Sequence, residues 1–197
     1  MATKIDWTEE TWNPISGCTQ ISAGCKNCYA KDIALWKQAM GDKKYENGFK
    51  VTLHEDALSE PRGWRKPALC FVCSMADLFH KDVPFEFIDN VMAVIKETPQ
   101  HTYQLLTKRA ERMAEYFETR PIPTNVWLGV TVEDGSVKYR IDILRPLKAS
   151  IKFLSVEPLV GDLGELNLKG IELSSAEKVS NIIIEKPAEC KRSEFYL

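Results

Sequence analysis

Beyond residue 60, short apolar runs alternate with stretches whose apolar positions recur every three or four residues. ALCFVCS (68–74), TYQLLT (102–107), NVWLGVT (125–131) and IKFLSVE (151–157) are nearly continuous apolar runs and predict four strands. Between them, Ile88, Val91, Met92 and Ile95 form one helical stripe from Pro84 to about Glu97, with Pro84 suited to the first turn. Ala110, Met113, Ala114 and Phe117 form a second stripe, and Val137, Ile141 and Leu144 a third. Upstream, a helix from Tyr29 to Met40 carries Ile33, Trp36 and Met40 on one side. Residues 41–66 are polar and punctuated by Gly and Pro, a long connection with one short strand around Val51–Leu53.

Strand–helix alternation with short connections predicts βαβ units and a parallel sheet, hence an α/β fold. A doubly wound open sheet and a barrel-like sheet both satisfy the pattern. In either, functional groups belong at the C-terminal ends of the strands. Those ends read SMAD (74–77), TKRA (107–110), TVED (131–134) and SVEP (155–158), each supplying a polar or charged group.

Composition narrows the function classes. The chain has 197 residues, 44% hydrophobic and 27% charged, which suits one globular core and argues against pervasive disorder. Lys and Arg total 26 against 28 Asp and Glu, a net charge of −2. Bulk charge therefore does not hold this protein on nucleic acid, and only a local basic patch would. Arg62, Arg65 and Lys66 around Trp64 are such a mixture of cation and aromatic, although small clusters of this kind are usually solvated surface. No apolar stretch approaches the ~20 residues of a membrane span. The start, MATKIDWTEETW, lacks a signal-peptide pattern, so a cytoplasmic protein with reduced cysteines is expected.

Three of the six cysteines are close together. Cys18, Cys25 and Cys28 have C-x(6)-C-x(2)-C spacing in a Gly/Ser/Asn-punctuated loop that enters the Tyr29 helix. A two-residue spacer is the usual way to place two sulfurs on one metal or cluster. A structural zinc site normally takes four protein ligands, whereas three cysteines on a four-iron cluster leave one iron open. Three readings stay open on the residues alone: such a cluster, a zinc site completed from elsewhere (His80 being one donor), and three thiols without a ligand. Cys70 and Cys73 also have CxxC spacing, but in a strand they point to opposite faces. Cys70 reads as core, Cys73 as a weaker candidate for lining a site, and Cys190 as incidental.

TWNPISGCTQISAGCKNCYA (11–30), FVCSMADLFH (71–80), YQLLTKRAERM (103–113), NVWLGVTVED (125–134) and FLSVEPLVG (153–161) occur in that order over about 170 residues. In these blocks the sequence resembles a phage- and prophage-associated three-cysteine-motif family related to radical-SAM enzymes and similar to spore photoproduct lyase. The resemblance implies a partial (β/α) barrel with a 4Fe-4S cluster on Cys18, Cys25 and Cys28, and S-adenosyl-L-methionine on the open iron. It implies that Ser74 and Asp77 help to hold the methionine group. At the strand ends, Lys108 and Arg109, with Arg112 one turn on, suit a phosphate or the methionine carboxylate, and Glu133 and Glu157 are site candidates. Lys108, Arg109, Glu133 and Glu157 are thus expected to line the mouth. A substrate that is a nucleic acid or nucleotide, and a companion protein encoded nearby, complete the expectation. The alternative is a non-catalytic zinc- or cluster-binding module acting through a partner, or an inactive prophage remnant.

Two departures qualify the match. Radical-SAM proteins typically have three residues in the first cysteine gap, and this chain has six. After LNLKGI (166–171) the family continues with an apolar strand, a Gly-Gly-Glu-Ser-Gly turn and a Phe-Lys-Gln-Trp segment, whereas this chain reads ELSSAEKVSNIIIEKPAECKRSEFYL. The expected organisation is thus a barrel-like domain over 1–171, lacking its last strand, and a divergent tail over 172–197.

Overall fold

The computed structural model describes Ile5, residues 7–169, Ile171 and the backbone of Ile182–Ile183. Strands β1 (Glu10–Trp12) and β2 (Ile15–Ser16) precede the cysteine loop, which leads into α1 (Tyr29–Ala39). Next comes β3 (Thr52–Leu53), a two-residue strand antiparallel to β2. The alternating part follows: β4 (Leu69–Val72), α2 (Phe85–Glu97), β5 (Thr102–Thr107), α3 (Ala110–Glu118), β6 (Val126–Thr131), α4 (Tyr139–Leu144) and β7 (Ile151–Ser155). Ile182–Ile183 forms β8 beside β7. The expected 172–197 tail, apart from β8, lies outside the described residues, as does Cys190.

All ladders of the main sheet are parallel, in the order β1-β4-β5-β6-β7-β8. Each strand lies beside the one that follows it in this series, and the order never reverses. A doubly wound sheet requires a reversal, so this mixed α/β fold with its parallel sheet is singly wound over the described strands.

The apolar runs form strands because both of their faces are covered. Val72, Leu105, Leu128, Val130 and Leu154 are buried in one core with Ile88, Val91 and Ile95 of α2 and Met113 of α3. Gly129 lies in β6 against the ring of Phe153 on β7, where any Cβ would collide with that ring. Two strands end earlier than expected: β4 stops at Val72 because Cys73 turns to φ 62°, and β7 stops at Ser155. Pro84 caps α2 with extended backbone, and Val137 sits in a short 3-10 turn before α4.

Helix α1 carries Ile33, Trp36 and Met40 on a side that faces outward. Ile33, Trp36 and Met40 are 38%, 63% and 70% exposed, whereas Ala30 and Ala34 are buried. The small side chains let the helix approach the body of the protein closely, against Tyr45 and Met75, and the large ones are left outside. Among the described residues, no helix is long and apolar enough to cross a membrane.

Candidate functional site at the strand ends

The cysteine loop begins at the end of the β2–β3 ladder and is fixed there by backbone alone. Gly17 (φ 80°) donates its N–H to Met75 O at 3.1 Å, and the Cys18 N–H reaches Phe49 O at 3.2 Å. A side chain at Gly17 would run into the Lys50 carbonyl, so both the conformation and the close approach require glycine. From there the loop runs to α1 beside the C-terminal ends of β4, β5 and β6. Each cysteine segment is tethered to one of them.

Cys18 is tethered to the end of β5. One Nη1 of Arg109 donates to its sulfur at 3.5 Å and to Asp77 Oδ2 at 2.9 Å, while Nη2 reaches Thr19 O at 2.9 Å. Asp77 is itself a hub. It accepts from Thr107 Oγ1 at 2.7 Å, Phe79 N–H at 3.0 Å and Lys108 N–H at 3.2 Å. Burial, reinforced by Asp77 and opposed by Arg109, pushes the Cys18 thiol up to about 11.

Cys25 is tethered to the end of β6. It closes a short turn, Ala23–Cys25, whose preceding Ser22 hydroxyl donates to Glu133 Oε1. The other carboxylate oxygen accepts from Arg140 Nη1 at 2.8 Å, and that same nitrogen donates to Thr131 O at 2.7 Å. Both Glu133 and Arg140 are buried. Gly24 lies so close to the Glu133 carboxylate that an added Cβ would meet it at 3.1 Å.

Cys28 is the N-cap residue of α1, without a side-chain cap bond. Its neighbour Tyr29 donates from the phenol to Ser74 O at 2.6 Å, in the turn after β4. That turn is braced by Asn13, whose Oδ1 accepts from Ser74 Oγ at 3.1 Å and Met75 N–H at 3.0 Å. Burial, with Cys28 and Glu157 nearby, raises the Tyr29 phenol to about 12.

The sequence-predicted residues thus divide. Asp77, Arg109 and Glu133 meet at the loop, but their charges are spent on one another, on Arg140 and on the loop itself. Ser74 is near α1 through Tyr29, and Glu157 is near enough to raise that phenol. Lys108 is partly buried, and its ammonium makes neither a hydrogen bond nor an ion pair among the described residues. Burial draws its pKa down, with Glu133 and Cys25 opposing. His80 is fully buried: Nδ1 accepts the Asp82 N–H at 3.1 Å, so Nε2 holds the proton and donates to Thr19 Oγ1 at 2.6 Å. That nitrogen is occupied, which leaves His80 as a structural histidine rather than a metal donor. Arg112 donates to Val83 O and stacks on Phe85. Arg62 pairs with Glu97, and Trp64 packs edge-on against His101. Cys70 and Cys73 are both core residues, so Cys73 does not line the site.

Ser22 and Arg140 had no place in the sequence reading. Arg140 could have been found: it falls on the Val137/Ile141/Leu144 stripe, where a charged residue is buried and needs a partner. Ser22 carried no comparable signal.

The three loop cysteines are free thiols and only partly buried. In donor chemistry they suit a thiophilic centre. Among the described residues no three His, Cys, Asp or Glu side chains are gathered closely enough to hold a metal ion. Donor type fits a cluster; the positions would have to close by movement of the loop.

Fold and site together define an α/β protein with a singly wound parallel sheet and a cysteine-bearing loop tethered at its strand ends. The chain belongs to the family described as a protein of unknown function, DUF5131, whose model matches residues 2–183. No curated protein and no solved structure matches it.

Proposed function

We propose that this chain is an iron–sulfur protein of radical-SAM-like type. In this reading Cys18, Cys25 and Cys28 hold a 4Fe-4S cluster, S-adenosyl-L-methionine is the cofactor, and a nucleic acid or nucleotide is the substrate. The observation that carries the reading is the placement of three free thiols on one loop beside the C-terminal ends of three parallel strands. Sheets of this kind build their sites there. The unreversed strand order supports a partial barrel as the frame. A bound cluster with an open iron would supply the one-electron reduction that cleaves S-adenosyl-L-methionine, the hard chemistry that a cofactor brings to a protein site.

The chain's own residues supply position and charge. Lys108, whose ammonium has no hydrogen-bond or ion-pair partner among the described residues, takes an anionic group of the ligand, a carboxylate or a phosphate. Asp77 and Arg109 hold Cys18, and Glu133 holds the turn that ends in Cys25. Ser74 and Glu157, both near Tyr29, line the mouth of the site in this reading.

Anaerobic reconstitution with iron and sulfide tests the proposal. The expected result is a brown protein with broad thiolate-to-iron absorbance that is lost in Cys25→Ala, and formation of 5′-deoxyadenosine under reduction. Stoichiometric zinc with no iron uptake would overturn it in favour of a zinc-binding module.

A further inference from the structure

We infer that Glu133 is a positioning residue for Cys25, acting through a buried latch that joins the cysteine turn to the end of β6. The latch has three parts. Arg140 fixes the carboxylate from behind, through Oε2 at 2.8 Å, and is itself fixed to Thr131 O at 2.7 Å. The Ser22 hydroxyl donates to Oε1 from the loop side. Gly24 lets the turn lie directly on the carboxylate, because any larger residue would press on it. A carboxylate that is completely buried and charge-paired has one geometry, and it passes that geometry to whatever it holds.

The direction of the bonds matters. Ser22 has one hydroxyl proton and spends it on Glu133. Its contact with Cys25 Sγ at 3.7 Å therefore runs from thiol to hydroxyl, with the sulfur as donor. Glu133 thus orders Cys25 in two ways: it sets the turn, and through Ser22 it orients the S–H. Cys18 and Cys28 do not share this arrangement, since Cys18 answers to Arg109 and Cys28 to the helix start. The role of Cys25 as a ligand rests on the function proposed above; the latch does not.

The test is the alkylation rate of each loop cysteine by iodoacetamide, read by peptide mass spectrometry on the full chain without metal. Ser22→Ala frees both the turn and the thiol. It is expected to raise the Cys25 rate about tenfold, as for a segment that opens more often, and to leave Cys18 within about twofold. Ser22→Thr, which keeps the hydroxyl, returns the Cys25 rate to that of the wild type. Gly24→Ala, with Ser22 intact, pushes the turn off Glu133 and gives a similar rise. A wild-type Cys25 rate in either alanine variant overturns the latch.

A second readout uses cobalt(II) alone as the probe. Its thiolate charge-transfer absorption should weaken in Ser22→Ala and return in Ser22→Thr. No such absorption in the wild type would sink the metal reading while the alkylation result still decides the latch.

Discussion

A single nitrogen of Arg109 donates to both the Asp77 carboxylate at 2.9 Å and the Cys18 sulfur at 3.5 Å. Both charged side chains are about nine-tenths buried, at 10% and 8% exposure. Removing one partner leaves the other charge buried and uncompensated, at a cost of about 3 kcal/mol. Arg109→Gln and Asp77→Asn are each expected to lower unfolding stability by about that much in urea titration. The double variant should lose less than the sum, with a coupling of about 2 kcal/mol. Additive losses would mean that the pair is not an energetic unit.

Acid should weaken the fold through its histidines. His54, His80 and His101 are each shifted below the ordinary value of 6.5, chiefly by burial. The unfolded chain therefore binds protons first as pH falls, so stability is complete above pH 6.5 and declines below it. His101 is the cleanest probe, because its Nδ1 accepts the Ala68 N–H at 3.2 Å and its ring is buried. His101→Phe should cost about 1–2 kcal/mol at neutral pH for the orphaned N–H. It should also flatten the fall in melting temperature between neutral pH and pH 5. An unchanged acid slope would remove His101 from the titration.

Gly129 and Phe153 occupy one space between β6 and β7. Gly129→Ala overpacks it and should cost about 1–3 kcal/mol by chemical denaturation. Phe153→Leu in the same chain should recover part of that loss. Failure of the second change to help would place the strain elsewhere.

Helix α1 offers a paired comparison. Trp36 is 63% exposed and Ala34 is completely buried. Trp36→Gln is expected to leave stability within about 0.5 kcal/mol. Ala34→Leu, two residues away, should cost about 1–3 kcal/mol by overpacking. A large loss in Trp36→Gln would show that this face is covered in solution.

The strands were the most legible part of the sequence. TYQLLT became β5 with both bounds as expected, and α2 followed its stripe from Pro84, because burial on both faces leaves an unbroken apolar run. Three-residue β1 carries too little pattern to announce itself, since its residues ETW are only one-third apolar. The Ile33, Trp36 and Met40 side of α1 does not tell which side packs inward, because apolar periodicity finds large side chains and here the tight contact is made by two alanines. The strand-end rule found Asp77, Arg109 and Glu133, but not what they do. Linear sequence cannot tell that Asp77 meets Arg109, or that Glu133 meets Arg140 and Ser22, because those pairs form only when neighbouring strands align.

In the main sheet a long connection, residues 13–68, joins β1 to β4, and the cysteine loop lies within it. The ladder between these strands pairs Glu10–Trp12 with Cys70–Val72, and the connection is itself pinned to it where Trp12 Nε1 donates to Ala57 O at 2.8 Å. Doubling the length of such a connection adds only about 0.6 kcal/mol of closure entropy. Closure entropy leaves the length of the connection loosely set, but the six-residue gap between Cys18 and Cys25 is bounded by fixed tethers, Arg109 after β5 and Glu133 after β6. The spacing of the parallel strands thus sets how far apart the thiol-bearing segments are anchored.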